Sequence, residues 1–448
     1  MQKIEITADR LVSSLLKLAA VKNVAILDSC GVGRNNTNLL IAGIDPVEVH
    51  EISHDDPTET LCIFDEKLGS KNLAAIFTIS YDFGLKLQAI EPRPRGYVSP
   101  QEPDIYLALF DCLVIHDYDK GRTFLSGNHA KFDQISKNLI DAQTLDEPSN
   151  FSPSKTEIVR SNFTKSEYLS AINKIKELIR SGETYQTNLT QQLSVELSNE
   201  MTAVDIFMRL RRDHPAPFAA YIDRGSSKVV SASPEMFVRV SLGANGGKNI
   251  SSSPIKGTRR RGNSVEEDEF LRSDLLNSEK DRAENTMIVD LTRNDLGRIC
   301  KFGSVVLDSL CELGEHPTLF HLVSTVSGTL RERIAYSEII KATFPCGSIT
   351  GAPKIRTMQI IDEIESSDRG LSMGTIGYRV PEHTFGLPAA FEMSVAIRTM
   401  VIRNGRAVFN VGGGIVIDSG PESEYDESML KAKALLTALS SSQVFSDQ

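Results

Sequence analysis

The chain has 448 residues, 40% of them hydrophobic and 24% charged, which suits one large or two medium globular domains with a sizeable core. Its formal net charge of −10 argues against generic binding of nucleic acid or of an anionic membrane. An anionic substrate would need individually placed Lys and Arg side chains, and no run of about 18 apolar residues is present to cross a membrane.

Residues 1–116 alternate strand-length apolar runs with turn signals; 23–27, 39–44, 74–79 and 107–115 each read as a strand. The first ten residues lack the apolar stretch of a signal peptide. Six scattered cysteines (Cys30, Cys62, Cys112, Cys300, Cys311, Cys346) show no zinc-ligand spacing and read as free thiols in a reducing cytoplasm. Residues 117–163 are polar, with Glu147-Pro148-Ser149-Asn150 and Ser152-Pro153-Ser154, and read as a surface connection. The chain thus divides into an N-terminal region 1–120, a connection 121–163 and a region 164–440.

Thr164 and Glu167 have capping-box spacing, Tyr168, Ile172, Ile175 and Ile179 follow at steps of four, three and four, and Gly182 stops the helix. Strands are expected over 219–222, 228–231 and 236–240, with Asn245-Gly246 as a hairpin turn. Helices are expected over 280–293 and 353–365, the second with Pro353 at its first position. Two paired strands, 391–402 and 406–417, flank Asn404-Gly405, and a last helix covers 421–440. Strands and helices come in runs rather than in strict alternation, which argues for an α+β fold with antiparallel sheets.

Several residues can carry chemistry. Lys256 lies between Pro254-Ile255 and Gly257-Thr258, either an aimed, partly desolvated amine nucleophile or a loop lysine. Arg259, Arg260 and Arg261 read as a solvated rim. Glu284 sits near the start of a helix; Glu424, Glu427 and Lys431 share one face of another. These carboxylates suit a hard divalent cation such as Mg²⁺, or surface ion pairs. Gly412, Gly413 and Gly414 end an apolar strand, where bare backbone can approach an anion or form a bend. Gly347 to Lys354, with Ser348, leads into a helix N-terminus but lacks the spacing of a nucleotide-binding phosphate loop. Arg398, read as lying in a strand, can clamp a carboxylate or form a structural ion pair. Glu235, beside Pro234, is a candidate general acid, and His321 a candidate hydrogen-bonding or acid–base group.

The ordered motifs SPEMF, PIKGT, DRAENTMIVDLTRNDLGR, HLVST, GSITGAPK, GTIGY, AIRT, GGGIV and EYDES, spread over 165–440, resemble those of the chorismate-utilising enzymes. That family includes anthranilate synthase large subunits, aminodeoxychorismate synthase component I, and isochorismate and salicylate synthases. Residues 20–120 resemble its N-terminal region more loosely, with Ser80-Tyr81-Asp82 where Gly-Tyr-Asp is frequent.

The resemblance implies one intertwined α+β body, two large antiparallel sheets packed together with helices outside. It implies chorismate as substrate. Lysine rather than alanine at 256 marks the branch that aminates chorismate to 4-amino-4-deoxychorismate. Lys256 would attack the ring, Glu235 would protonate the departing 4-hydroxyl, and ammonia would displace the lysine. Glu284 and Glu427, with Glu424, match Mg²⁺ ligands; Arg398, Tyr378 and the backbone of Gly412, Gly413 and Gly414 match groups holding the enolpyruvyl carboxylate. Gly257, Thr258, His321, Ser348 and Lys431 match other pocket positions. Ser29 and Pro217-Phe218 match a tryptophan pocket of some members, with Ala219 where serine is common.

No Gly-x-Cys-x-Gly nucleophile turn is present, so ammonia is expected from a separate glutamine amidotransferase subunit. No lyase region follows residue 440, so conversion to 4-aminobenzoate would fall to another enzyme. The competing expectations are an anthranilate synthase large subunit, a non-catalytic docking subunit, which would show damaged site residues, and a nucleotide-binding module on 347–354.

Overall fold

The computed structural model describes residues 1–33, 38–95, 102–142, 157–198, 200–243, 246–315, 319–381, 384–387, 389–439 and 443–445. Two large sheets dominate it, and neither closes into a barrel. In the larger, the N-terminal strands Leu39–Ile44 and Val24–Asp28 run edge to edge into Phe218–Asp223, Lys228–Ser233, Thr399–Arg403, Arg406–Ile415 and Gln186–Glu196. In the smaller, Ile255–Arg260, Leu319–Thr329, Lys248–Ser253, Met236–Leu242, Ala389–Val395 and Thr375–Arg379 lead into the N-terminal strands Ala74–Ile79, Ile105–Phe110 and Glu48–Ile52. Pairing is antiparallel apart from the short strand Gln443–Phe445, parallel to Glu157–Ser161.

Both sheets therefore contain strands from 1–120 and from 164–440: Val24–Asp28 pairs with Phe218–Asp223, and Ala74–Ile79 with Thr375–Arg379. The two sheets face each other across Ile41, Ile115, Ile222 and Val229 on one side and Ile76, Ala108 and Ile376 on the other. The outer face of the larger sheet is covered by helices Ala8–Leu18, Phe132–Ala142, Ala203–Asp213 and Pro421–Leu439. The outer face of the smaller is covered by Pro57–Leu68, Glu279–Gly297 and Tyr336–Thr343. Four layers result, α/β/β/α.

Local chemistry explains the elements. Lys165–Arg180 has the expected capping box, the Thr164 hydroxyl accepting from the Glu167 N–H while the Glu167 carboxylate accepts from Thr164. Pro57–Leu68 starts on Pro57 with Asp56 accepting from the Thr58 N–H at 2.8 Å. Neither that helix nor Ala8–Leu18 is anticipated by a strand-only reading of 1–116.

Other expectations need correction. The run 107–115 is two strands, Ile105–Phe110 in the smaller sheet and Cys112–Asp117 in the larger; both are buried, so apolar character hides the crossing. The run 391–402 is likewise Ala389–Val395 in one sheet and Thr399–Arg403 in the other. Arg398 lies in that crossing with φ +49°, not in a strand. The stretch 117–163 contains strand Arg122–Gly127 and helix Phe132–Ala142, whose buried Phe132, Ile135, Leu139 and Ala142 recur at helical spacing. Its Pro/Ser-rich part, 147–154, lies outside the described residues, as does Asn245; Gly246 has φ +74°. Pro353 is the N-cap of Lys354–Ile364 rather than its first helical residue.

A buried ion pair ties three segments together. Glu365, at the end of Lys354–Ile364, accepts from the Thr190 N–H at 2.7 Å and from Arg369 Nη2 at 2.7 Å. Arg369 also donates to the carbonyls of Ile349 and Asn188 at 2.9 and 2.7 Å and stacks over Tyr81. The loop holding Ser348 is thereby fixed against strand Gln186–Glu196. Removing one member leaves the other charged and unpaired in the interior. Arg369→Met is expected to lower unfolding free energy in urea by roughly 3–5 kcal/mol, and Glu365→Gln combined with Arg369→Met to lower it by less. Equal losses would contradict the pairing.

Candidate active site

Strand Ile255–Arg260 pairs with Leu319–Thr329, and the register slips between Lys256 and Thr258. Gly257 fills this bulge with φ +82°, and a β-carbon there would meet Leu275 at 2.9 Å and Asp281 at 3.0 Å. Glycine thus permits both the backbone and the close approach of the next two helices. The bulge re-aims Lys256, whose Nζ donates to the Ser348 carbonyl at 3.2 Å. Beyond the bulge, Thr258 Oγ1 lies 3.0 Å from Nδ1 of the buried His321 on the neighbouring strand.

Glu235 is 3% exposed, and its Oε1 has no hydrogen-bond partner among the described residues. Burial pushes its pKa up to about 7, against the opposing pull of the Ser348 hydroxyl and the Lys256 charge. Ser348 therefore adjoins both the amine and the acid.

Strand Arg406–Ile415 supplies bare backbone. The point where a Gly414 β-carbon would stand is 3.4 Å from Lys256 Nζ, and such an atom would collide with the Gln186 carboxamide. Gln186 is wholly buried, with neither carboxamide atom hydrogen-bonded among the described residues. At Gly413 the corresponding point is 3.4 Å from Lys431 Nζ, 3.5 Å from Glu424 Oε2 and 3.9 Å from Glu427 Oε1. Lys431 also donates to the Gly412 carbonyl at 3.1 Å and pairs with Glu427 at 2.8 Å.

Helix Glu279–Gly297 brings Glu284 to this place. Asn285 anchors that helix by donating to the Leu322 carbonyl at 3.2 Å. Burial raises the Glu284 pKa although Lys256 and Lys280 oppose it. Burial also pushes on Glu427, but Lys431, Lys280 and Lys256 together hold it below the usual carboxylate range. Lys256 thus exerts its field on Glu235, Glu284 and Glu427, and amine, acid and carboxylates form one centre.

As they stand, no three acidic, histidine or cysteine side chains among the described residues converge closely enough to hold a metal ion. The donor chemistry nevertheless fits a hard divalent cation. Glu284 and Glu424 face one ammonium, that of Lys280, at 4.0 and 3.2 Å, and Glu427 lies beside Glu424 at Gly413. That ammonium marks a cation position.

Two sequence-derived candidates are placed otherwise. Tyr378 lies in strand Thr375–Arg379, lining a second pocket with Asp28, Ser29, Phe218, Arg239 and Glu392. Burial and the Glu392 charge raise its pKa well above the ordinary phenol value. The same pocket takes in Pro217, matched with Ser29 and Phe218 to a tryptophan site, and Ala219, which stands where serine is common. Arg398, in the crossing between sheets, makes no side-chain hydrogen bond or ion pair with the described residues, and burial lowers its pKa. His214 is depressed first by burial and then by the Arg398 charge.

Sequence reading missed Lys280 and Gln186. The signal for Lys280 is its position one turn before Glu284; for Gln186 it is the run Gln186-Thr187-Asn188, polar at successive positions yet buried on both faces.

A family model described as chorismate binding enzyme matches residues 28–437. Aminodeoxychorismate synthase component 1 of Bacillus subtilis (strain 168) is 32% identical over 99% of this chain and 97% of its own. Anthranilate synthase component 1 of Aquifex aeolicus (strain VF5) is 38% identical over 75% of this chain and 68% of its own. Among solved structures, anthranilate synthase component I from Streptococcus pneumoniae TIGR4 superposes with a TM-score of 0.72 at 26% identity, covering 92% of this chain and 89% of that one.

The burial of Glu235 carries a stability signature. An unfolded glutamate near 4.5 releases its proton before the folded one near 7 does. Between those values the unfolded state binds fewer protons, so folding stability falls as pH rises. Glu235→Gln removes this loss. The variant's unfolding free energy in urea is expected to gain on that of wild type between about pH 4 and pH 8, by on the order of 3 kcal/mol at about 1.36 per unit. An advantage independent of pH would contradict the burial.

Proposed function

The chain belongs to the chorismate-binding enzyme family, and on that premise we propose that it aminates chorismate to 4-amino-4-deoxychorismate with ammonia from a separate glutamine amidotransferase subunit. The observation that carries this reading is the Lys256 amine beside Gly414, sharing Ser348 with the buried acid Glu235.

Glu235, with its pKa near 7, keeps a large protonated fraction at neutral pH. It donates that proton to the 4-hydroxyl as the C–O bond breaks, and the hydroxyl leaves as water. Lys256, after releasing its own proton to solvent, forms a bond to a ring carbon as the free amine in the same step. Ammonia then forms a C–N bond at the carbon that lost the hydroxyl, and the bond to Lys256 breaks. The Glu235 carboxylate accepts the proton that ammonia gives up, which restores the acid. Two displacements leave the amine where the hydroxyl was, which accounts for a nucleophilic side chain in the site.

Glu284, Glu424 and Glu427 would hold Mg²⁺, whose charge would bind the ring carboxylate. Lys431 and the bare backbone of Gly412 to Gly414 provide further positive charge and space for the substrate's anionic groups. Thr258 and His321 form a hydrogen-bonded pair on the adjoining strands. The six unpaired thiols agree with a cytoplasmic enzyme, and no helix among the described residues is long and apolar enough to cross a membrane.

Similarity to anthranilate synthase component 1 favours a second reading, ring amination by ammonia with loss of water, followed by elimination of pyruvate to give anthranilate. Lysine at 256 supports the first. Incubation with chorismate, Mg²⁺ and ammonium should give 4-amino-4-deoxychorismate by mass spectrometry, with loss of at least roughly 100-fold in Lys256→Ala. The rate should fall as pH rises through about 7, as Glu235 loses its proton. Anthranilate from wild type, unchanged in Lys256→Ala, would establish the second reading.

A further inference from the structure

Lys280 belongs to neither the nucleophile nor the acid, yet it occupies the middle of the carboxylate cluster. It stands one turn before Glu284 on helix Glu279–Gly297, and reaches across to helix Pro421–Leu439. Its Nζ lies 3.2 Å from Glu424 Oε1 and 4.0 Å from Glu284 Oε1. Glu424 is 5% exposed, and the oxygen that Lys280 touches also accepts from the Ser419 hydroxyl at 2.6 Å. The other Glu424 oxygen faces Gly413 beside Glu427. Burial works against the charge of Lys280, but Glu424 and Glu284 together hold its pKa above the ordinary lysine value.

Three carboxylates in a half-closed site repel one another and lose hydration, so the metal-free cluster needs a positive charge to persist. Lys431 neutralises Glu427 from the side. Lys280 lies against the remaining two, whose oxygens would hold a divalent cation. An ammonium and a divalent ion cannot share that position: their charges repel, and both need the same oxygens.

We propose that Lys280 is the resident counter-cation of the Glu284–Glu424–Glu427 cluster and is displaced when a divalent cation enters. The inference rests on the metal reading given above. It makes metal uptake an exchange of one cation for another rather than simple filling, so Lys280 weakens metal affinity while protecting the metal-free fold. The side chain is long enough to swing toward solvent, being 48% exposed at present.

Titration calorimetry with Mg²⁺ alone, on the intact protein without chorismate, tests this. Lys280→Met should bind Mg²⁺ roughly five- to tenfold more tightly than wild type. Its metal-free form should melt at a lower temperature, and saturating Mg²⁺ should raise its Tm by more than that of wild type. Lys280→Arg keeps the charge and should stay close to wild type in affinity. Equal or weaker Mg²⁺ binding by a folded Lys280→Met would overturn the displacement. If neither wild type nor Lys280→Met takes up Mg²⁺, the metal reading itself fails, and this inference with it.

Discussion

The site depends on three consecutive residues without side chains. Lys256 and Gln186 reach one point beside Gly414, while Glu424, Glu427 and Lys431 reach another beside Gly413. A methyl group at 414 would strike the Gln186 carboxamide. Bare backbone inside a paired strand weakens that strand, yet Arg406–Ile415 pairs with Gln186–Glu196 along its whole length and with Thr399–Arg403 at its start. The sheet supplies the rigidity that the glycines surrender.

Two further devices aim the groups at that space. The Gly257 bulge turns Lys256 away from ordinary strand alternation. The Arg369–Glu365 pair holds the loop containing Ser348 against strand Gln186–Glu196, so the Ser348 carbonyl and hydroxyl sit between amine and acid. Electrostatics then separates their roles. Glu235, deep and with one unpartnered oxygen, retains its proton to about 7. Glu427, paired with Lys431, is held below the usual carboxylate range and stays ionised. Two carboxylates with opposite tendencies around one lysine match the needs of an acid and of a cation ligand.

Much of this was legible in the sequence, for physical reasons that can be named. The helix Lys165–Arg180 announces both ends through its capping box and Gly182. The strands over 39–44 and 74–79 are read correctly because they are isolated by turns. The doubly buried runs 107–115 and 391–402 fail because a chain crossing from one buried sheet to another keeps its apolar character through the crossing. Arg398 was therefore placed in a strand that ends at Val395. Lys256, Glu235, Glu284 and Glu427, singled out from their motifs, lie within electrostatic reach of one another. Tyr378 lines the pocket of Ser29 and Phe218, and period-two alternation does not say which of two packed sheets' pockets a buried side chain meets. Lys280 was overlooked because a lysine four residues before a glutamate looks like an ordinary surface pair; only the helix facing it shows what it does.

The most direct test is to look for the covalent bond. Wild-type protein, Mg²⁺ and chorismate would be mixed without ammonia, quenched in acid and digested, and the peptide containing Lys256 weighed. The account predicts a mass increase on Lys256 equal to chorismate less one water, discharged when ammonium is added before the quench. An unmodified Lys256 peptide, with chorismate consumed on adding ammonium, would contradict it.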